Sequence, residues 1–357
     1  MSSKNRRGEL DLARCLGNYM IVLLHGMAAF QYVDQSTVEF AVGTFVCSHL
    51  AWMAIPTFFL ISGYLLFLQF DFANCLAKIG RRVRRLAIPY LCWNVLFVVF
   101  YLCLSRFVPR LSTRVTQFGL DTFSGAVVKI VSLTVAPIDG PLWFIRALLL
   151  FSLASPVLWF LMKIGKGIPA IVLTMLWCAA EGLVRLAPEL EFIAPSYAFA
   201  CFLIGGALAV NGVDLVRAIR GYWLLVGLAA CAVRAALKMF APAVAMAPAG
   251  MVLLSLLAVV EAPALIAAVK CLNVVKMSEN AFYQFMREMS FFAYAGHFLF
   301  CSIWLHALAP HLGGFWDGKF TLLVFVFVAC GLITIAAVFM LGRRFCPRML
   351  KLLDGSL

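Results

Sequence analysis

Residues 320–341 read FTLLVFVFVACGLITIAAVFML, twenty-two positions without one charged side chain. A helix rises about 1.5 Å per residue and the hydrocarbon core of a bilayer is about 30 Å thick, so this stretch suffices to cross. Working outward from it, apolar runs of similar character recur at 9–30, 45–68, 87–107, 140–162, 168–186, 193–210, 222–240, 248–268 and 289–309. The fold class that follows is all-α integral membrane: a polytopic bundle of about ten transmembrane helices, one domain over residues 1–357. The whole composition agrees, with 64% hydrophobic and 13% charged residues and a mean hydropathy of +0.99. A soluble domain carries about 25% charged residues, so an ordinary water-soluble enzyme is excluded. The short apolar segment 121–135 reads as an amphipathic or re-entrant piece rather than another span.

Basic residues set the orientation. The net charge is +13, which in so apolar a chain points to membrane topology rather than nucleic acid. Alternating the ten runs puts 19 Lys and Arg on the face of the N-terminus and 7 on the other. Both termini are therefore expected in the cytoplasm. The start, Lys4 to Arg7 followed by an apolar run, superficially resembles a secretion signal. That run contains Asp11, Arg14 and His25, which a disposable signal has no reason to carry, so it reads as a retained first helix. The 12 cysteines are scattered singly, with no C-x-x-C pair and no Cys/His cluster at metal spacing. They read as small apolar filler, and no metal site is expected.

An ionisable group inside a span costs about 2.5–3.5 kcal/mol on insertion scales, which makes each one a functional candidate. Asp11, Arg14, Asn18 and His25 fall within about 60° of arc on the first helix, a polar line along an otherwise apolar rod. The line is either a wet cavity through the bundle or a stripe satisfied by neighbouring helices. Counting from the ends of the runs, His25 lies about 23 Å deep and Arg14 about 7 Å. Arg146 and Glu181 come out level with His25, whereas Glu261 and His297 fall at about 10–12 Å. A structural ion pair, Arg146 with Glu181 for instance, is the alternative to a cavity. Asp11 is about 21 Å from His25, too far to orient it, and its i,i+3 spacing suggests a pair with Arg14.

The run Arg81-Arg82-Val83-Arg84-Arg85, closed by Pro89, precedes the third span. Guanidinium groups offer planar forks of donors that suit phosphate. A plain positive-inside anchor and an anionic-lipid site are the competing readings.

At this point the chain resembles the membrane-bound acyltransferase-3 family. Arg14, ten residues and His25 reproduce its R-x10-H signature, led by Leu10-Asp11-Leu12. Pro56-Thr57-Phe58-Phe59-Leu60-Ile61-Ser62-Gly63-Tyr64-Leu65-Leu66 looks like its PxFFxxSGYLL stretch, and Arg81 to Tyr90 like its basic R-x-x-R segment ending in Pro-Tyr. Gly140 to Arg146 resembles its G-x-LWF motif, and Ser290-Phe291 through Tyr294 to His297 its late S-[FY]-x-x-Y-x-x-H helix. The five blocks stand in order, and nothing between about 165 and 285 matches a motif.

The resemblance implies ten core helices, an acyl-CoA donor (commonly acetyl-CoA) and an acceptor hydroxyl on a carbohydrate. It implies His25 as the catalytic residue, supported by Arg14, Tyr294, His297 and Arg146. Arg81, Arg82, Arg84 and Arg85 become the grip on CoA phosphates, with Ser62 a further cofactor-binding candidate. Trp143, Glu181 and Asp11 are candidates on the substrate side. Alcoholysis of a thioester needs a base, for which neutral imidazole is suited, and donors for the developing oxyanion. Depth favours Arg146 as that donor, and the motif favours Tyr294 or His297. An acyl-histidine intermediate and direct transfer both stay open.

The expected reaction is acyl transfer from cytoplasmic acyl-CoA to an envelope glycan or lipid-linked saccharide in a bacterial inner membrane. Some family members carry an additional hydrolase-like domain for the last transfer; with Leu357 close behind the last span, the membrane domain or a separate partner is expected to complete it. The competing class is a transporter or flippase for a polar solute, which inverted repeats or helices broken at the midplane would favour. A lipid-binding scaffold leaves the His25 line without a purpose.

Overall fold

The structure, a computed structural model, describes residues 3–27, 34–106, 115–132, 135–164, 168–184, 194–272, 274–308, 316 and 318–355. Among them every regular element is helical. The main helices are α1 (Ser3–Gly26), α2 (Val38–Thr44), which continues into a π-helical turn at Phe45–Leu50, α3 (Ala54–Phe67), α4 (Cys75–Leu104) and α5 (Phe123–Val131). They continue as α6 (Trp143–Leu153), α7 (Ser155–Lys163), α8 (Ile168–Val184), α9 (Ser196–Val210), α10 (Tyr222–Phe240), α11 (Pro248–Glu261) and α12 (Ala264–Lys270). The last three are α13 (Ala281–Leu308), α14 (Phe320–Phe345) and α15 (Pro347–Asp354).

Each of the ten apolar runs coincides with helix. Among the described residues, five helical stretches are long and apolar enough to cross a bilayer alone: Val38–Phe67, Phe72–Leu104, Tyr222–Phe240, Pro248–Lys270 and Phe320–Phe345. A sixth arises if Gly140–Leu153 and Ser155–Lys163, bent by 65° at their break, count as one. α1 and α13 are long enough in residues, but they carry the polar groups of the site described below.

Hydropathy places the bilayer, not the helix end, and several boundaries move for that reason, two of them by eight residues or more. The third helix begins at Cys75 rather than near 87, because Leu76, Ala77, Ile79 and the arginines are all good helix formers. The ninth begins at Ala281 rather than near 289. Two runs read as single spans are interrupted at prolines. Pro156 has no N–H for the carbonyl of Ser152, and the hydroxyl of Ser155 donates to that oxygen instead, at 2.7 Å. Pro263 separates α11 from α12, and there Thr57 donates to the carbonyl of Ala262 at 2.8 Å. The segment expected at 121–135 is indeed short: α5, capped by Thr122 accepting from the Gly125 amide and ended by Ser132 at φ +48°.

The chain packs as two compact units, the first Met1–Phe70, Val157–Gly182 and Pro195–Ala336, the second Asp71–Pro156, Leu183–Ala194 and Ala337–Leu357. In the first, α3 and α9 meet backbone to backbone. A β-carbon on Gly63 would lie 1.9 Å from the carbonyl oxygen of Phe202, and one on Gly205 would lie 2.0 Å from that of Leu60. Small residues at such a crossing let main chains touch, the usual way helices associate where lipid is as apolar as leucine. α1 is packed by the same device: Gly17 sits against Phe58 and Gly26 against Val324 and Val328. The Tyr19 hydroxyl donates to the Met286 carbonyl on α13 at 2.7 Å. In the second unit α15 lies on α4, with Leu350 and Leu353 buried.

Candidate functional site

α1 presents its polar line with graded exposure. Asp11 and Arg14 are exposed and paired at 4.0 Å, as their i,i+3 spacing predicts, while Asn18 and His25 are half-buried. Leu12, Ala13 and Cys15, on other sides of the same turns, are buried. The line therefore follows an accessible side of α1 and reaches inward to His25.

His25 meets His297 of α13. The ring centroids are 4.7 Å apart at 52°, and Phe298 stands edge-on to His25 at 6.0 Å. Sequence counting had placed His297 at about half the depth of His25; α13 begins eight residues earlier than expected, and the ring contact brings the two histidines to one level. Both rings bond a backbone carbonyl through Nδ1, His25 to Ile21 at 2.9 Å and His297 to Tyr294 at 2.5 Å. A carbonyl only accepts, so Nδ1 carries the proton in each ring and Nε2 holds the lone pair in the neutral form. The Nε2 of His297 is fully buried and has no hydrogen-bond partner among the described residues. Neutral His297 thus has no N–H left for an oxyanion. Tyr294, buried on the same helix with its ring 6.3 Å from that of His297, remains the O–H donor of the pair.

The other candidates divide by unit. Ser62 is half-buried on α3 in the first. Glu181 belongs to α8, and its side chain lies outside the described residues, so the pairing with Arg146 does too. Arg146 belongs to the second unit, buried, and its Nη1 donates to the carbonyls of Ser132, at 3.0 Å, and Val135. Trp143 is half-buried beside Phe144.

The arginine run lies within α4 rather than ahead of it, which splits it by face. Arg81, Arg84 and Arg85, at i, i+3 and i+4, line an open cavity of about 400 Å³ with Ala77 and Gly80. Arg82 points elsewhere: its Nε donates to Ser152 at 3.1 Å, and Ser152 in turn to the Leu148 carbonyl. Three guanidiniums around an open volume suit a phosphate-bearing ligand. The fourth anchors α4 to α6.

Two buried polar clusters are assembled only by the fold, although the sequence already placed Glu261 inside a span. In the first unit Arg234 makes a bidentate pair with Glu261 (Nε–Oε1 2.6 Å, Nη2–Oε2 3.1 Å) and donates to the carbonyl of His49 at 2.8 Å. The Trp52 ring covers its guanidinium at 4.2 Å. His49 lies in the π-helical turn Phe45–Leu50, and its carbonyl accepts this bond. In the second unit Asp139 is fully buried with neither carboxylate oxygen hydrogen-bonded among the described residues, although its amide donates to Asn94 Oδ1 at 3.3 Å. Burial without a partner holds its carboxyl well above the usual carboxylate range. Only a contact list reveals either cluster, because the partners lie far apart in the chain. No group of three metal-ligating side chains occurs among the described residues.

A family model described as an acyltransferase domain, acyltransferase 3, aligns with residues 7–342. Neither the curated proteins nor the solved structures that were searched contain a match. The aligned region holds the His25–His297 pair, the arginine cavity and all five ordered motif blocks. The chain belongs to the acyltransferase-3 family.

Proposed function

We propose that this protein moves a short acyl group, acetyl above all, from cytoplasmic acyl-CoA to a hydroxyl of an envelope glycan or lipid-linked saccharide. The membrane is the bacterial inner membrane. The observation that carries the reading is the His25 ring: Nδ1 is committed to the Ile21 carbonyl, which leaves the Nε2 lone pair for chemistry. His25 accepts the acceptor's hydroxyl proton as the oxygen attacks the thioester carbonyl. The tetrahedral intermediate collapses, the C–S bond breaks, and the proton passes to the leaving thiolate, giving an ester and free CoA. His297 sets a second lone pair beside the imidazolium that forms, and the Tyr294 hydroxyl serves the oxyanion. The cavity of Arg81, Arg84 and Arg85 suits the diphosphate and ribose phosphate of CoA, with Arg82 holding α4 in place. No metal takes part in these steps.

The test is release of free CoA by purified protein in nanodiscs, given acetyl-CoA and a panel of glycan acceptors. The expected result is acceptor-dependent release that His25→Ala abolishes while the protein stays folded. Full turnover by that variant sinks the role of His25. One feature favours the competing reading, a transporter: the 65° break between α6 and α7. Solute uptake into vesicles without thioester consumption would establish it.

A further inference from the structure

α4 runs unbroken through Pro89. Proline has no N–H, so the carbonyl four residues back, that of Arg85, loses its helical donor. At Pro156 a serine hydroxyl fills the corresponding gap. At Pro89 the C-terminal segment arrives instead. Gly355, at φ +72°, lies so close that a β-carbon there would stand 2.8 Å from the Arg85 carbonyl oxygen and 3.5 Å from Pro89 Cγ. Only glycine combines that backbone conformation with that approach. One turn beyond the proline, the indole N–H of Trp93 donates to the Leu353 carbonyl at 3.0 Å. Arg85, Pro89 and Trp93 are spaced by four residues and share one face of α4, the face that α15 covers.

Arg85 therefore does two things at once. Its side chain lines the arginine cavity, and its main chain bears the end of the C-terminal helix. A proline inside a helix removes a ladder bond and lets the helix bend there, and a bend at Pro89 moves Arg81, Arg84 and Arg85 together. We propose that α15 is a strap that fixes this hinge, which makes Trp93 and Gly355 positioning residues for the phosphate-bearing end of the acyl donor. The inference rests on the donor reading given above. It adds that the grip of the cavity depends on a helix contributing no side chain to it.

The experiment titrates CoA, and dephospho-CoA lacking the ribose 3′-phosphate, into the purified full chain and into Trp93→Phe and Gly355→Asn. Phenylalanine keeps the ring but removes the N–H; asparagine tolerates positive φ but brings the β-carbon. Wild type is expected to bind CoA more tightly than dephospho-CoA. In both variants the CoA Kd rises about five- to tenfold, the preference falls toward one, and kcat at saturating donor is unchanged. Variants that weaken both ligands alike and lose kcat reveal general damage, and overturn the proposal. Variants that keep the wild-type Kd and preference overturn it while sparing the donor reading. Wild type that binds no CoA overturns both.

Discussion

The His25–His297 pair and the Arg234–Glu261 pair are both held between helices of the same unit, and they differ in what they leave unmade. Around Arg234 three donors are committed: two bonds go to one carboxylate and one to the His49 carbonyl, with the face of Trp52 above. Around the histidines each ring spends its single N–H on a backbone carbonyl, and the Nε2 of His297 has no hydrogen-bond partner among the described residues. An ion pair committed to its counter-charge fixes helices, whereas lone pairs held in a known orientation can move a proton. Polarity and burial alone do not separate the two.

Five variants, one of them a double change, would break or sharpen this contrast. The largest effect is expected for His25→Ala, with acyl transfer down about 10³-fold or more and thermal stability retained. A comparable loss of stability with the loss of rate would put His25 among the structural groups. Glu261→Ala comes next, leaving a buried guanidinium without its counter-ion and costing about 3–5 kcal/mol of stability. Chemical denaturation in detergent reads this directly. The double change Arg234→Met with Glu261→Leu should recover most of it, since it removes both charges together.

His297→Phe keeps the ring volume but removes the second lone pair. A fall in kcat of about tenfold, with KM for the donor unchanged and a displaced acid limb in the pH–rate profile, is the expected outcome. The groups facing that ring include His25 and Tyr294, and an unchanged profile would reduce His297 to packing. The smallest effect concerns Asp139. Its folded-state carboxyl keeps its proton above the range where the unfolded chain ionises, so its contribution to stability is full at low pH and declines as pH rises. Asp139→Asn should therefore match wild type near pH 4 and be more stable by about 1 kcal/mol near pH 8. Melting curves at the two pH values decide it, and parallel curves would mean that Asp139 is charged and matched in the native state.

Legibility from sequence followed the range of each interaction. The run 222–240 coincides with α10 at both ends, because hydropathy and helix end together at Tyr222 and Phe240. At Cys75 and Ala281 they part, since a helix of charged residues extends past the lipid without a change of conformation. Misplacing the start of α13 by eight residues put His297 at half its depth, and so favoured Arg146 as the neighbour of His25. The arginine run was legible as a phosphate-seeking group but not as three plus one, because the split depends on those residues being helical. The Asp11–Arg14 pair was legible because it is local.

The sequence by itself determined that this chain lives in a membrane, which helix carries the His25 imidazole, and where the cations gather. Each of these is written in the covalent order of neighbours, through hydropathy, helical spacing and ordered motifs. Tertiary structure alone decided which polar groups meet: His25 with His297, Arg234 with Glu261, Gly355 with Arg85. Those pairs join residues from 27 to 272 positions apart, and their contact depends on helix crossings set by glycine and side-chain volume. One-dimensional spacing carries no record of such a crossing.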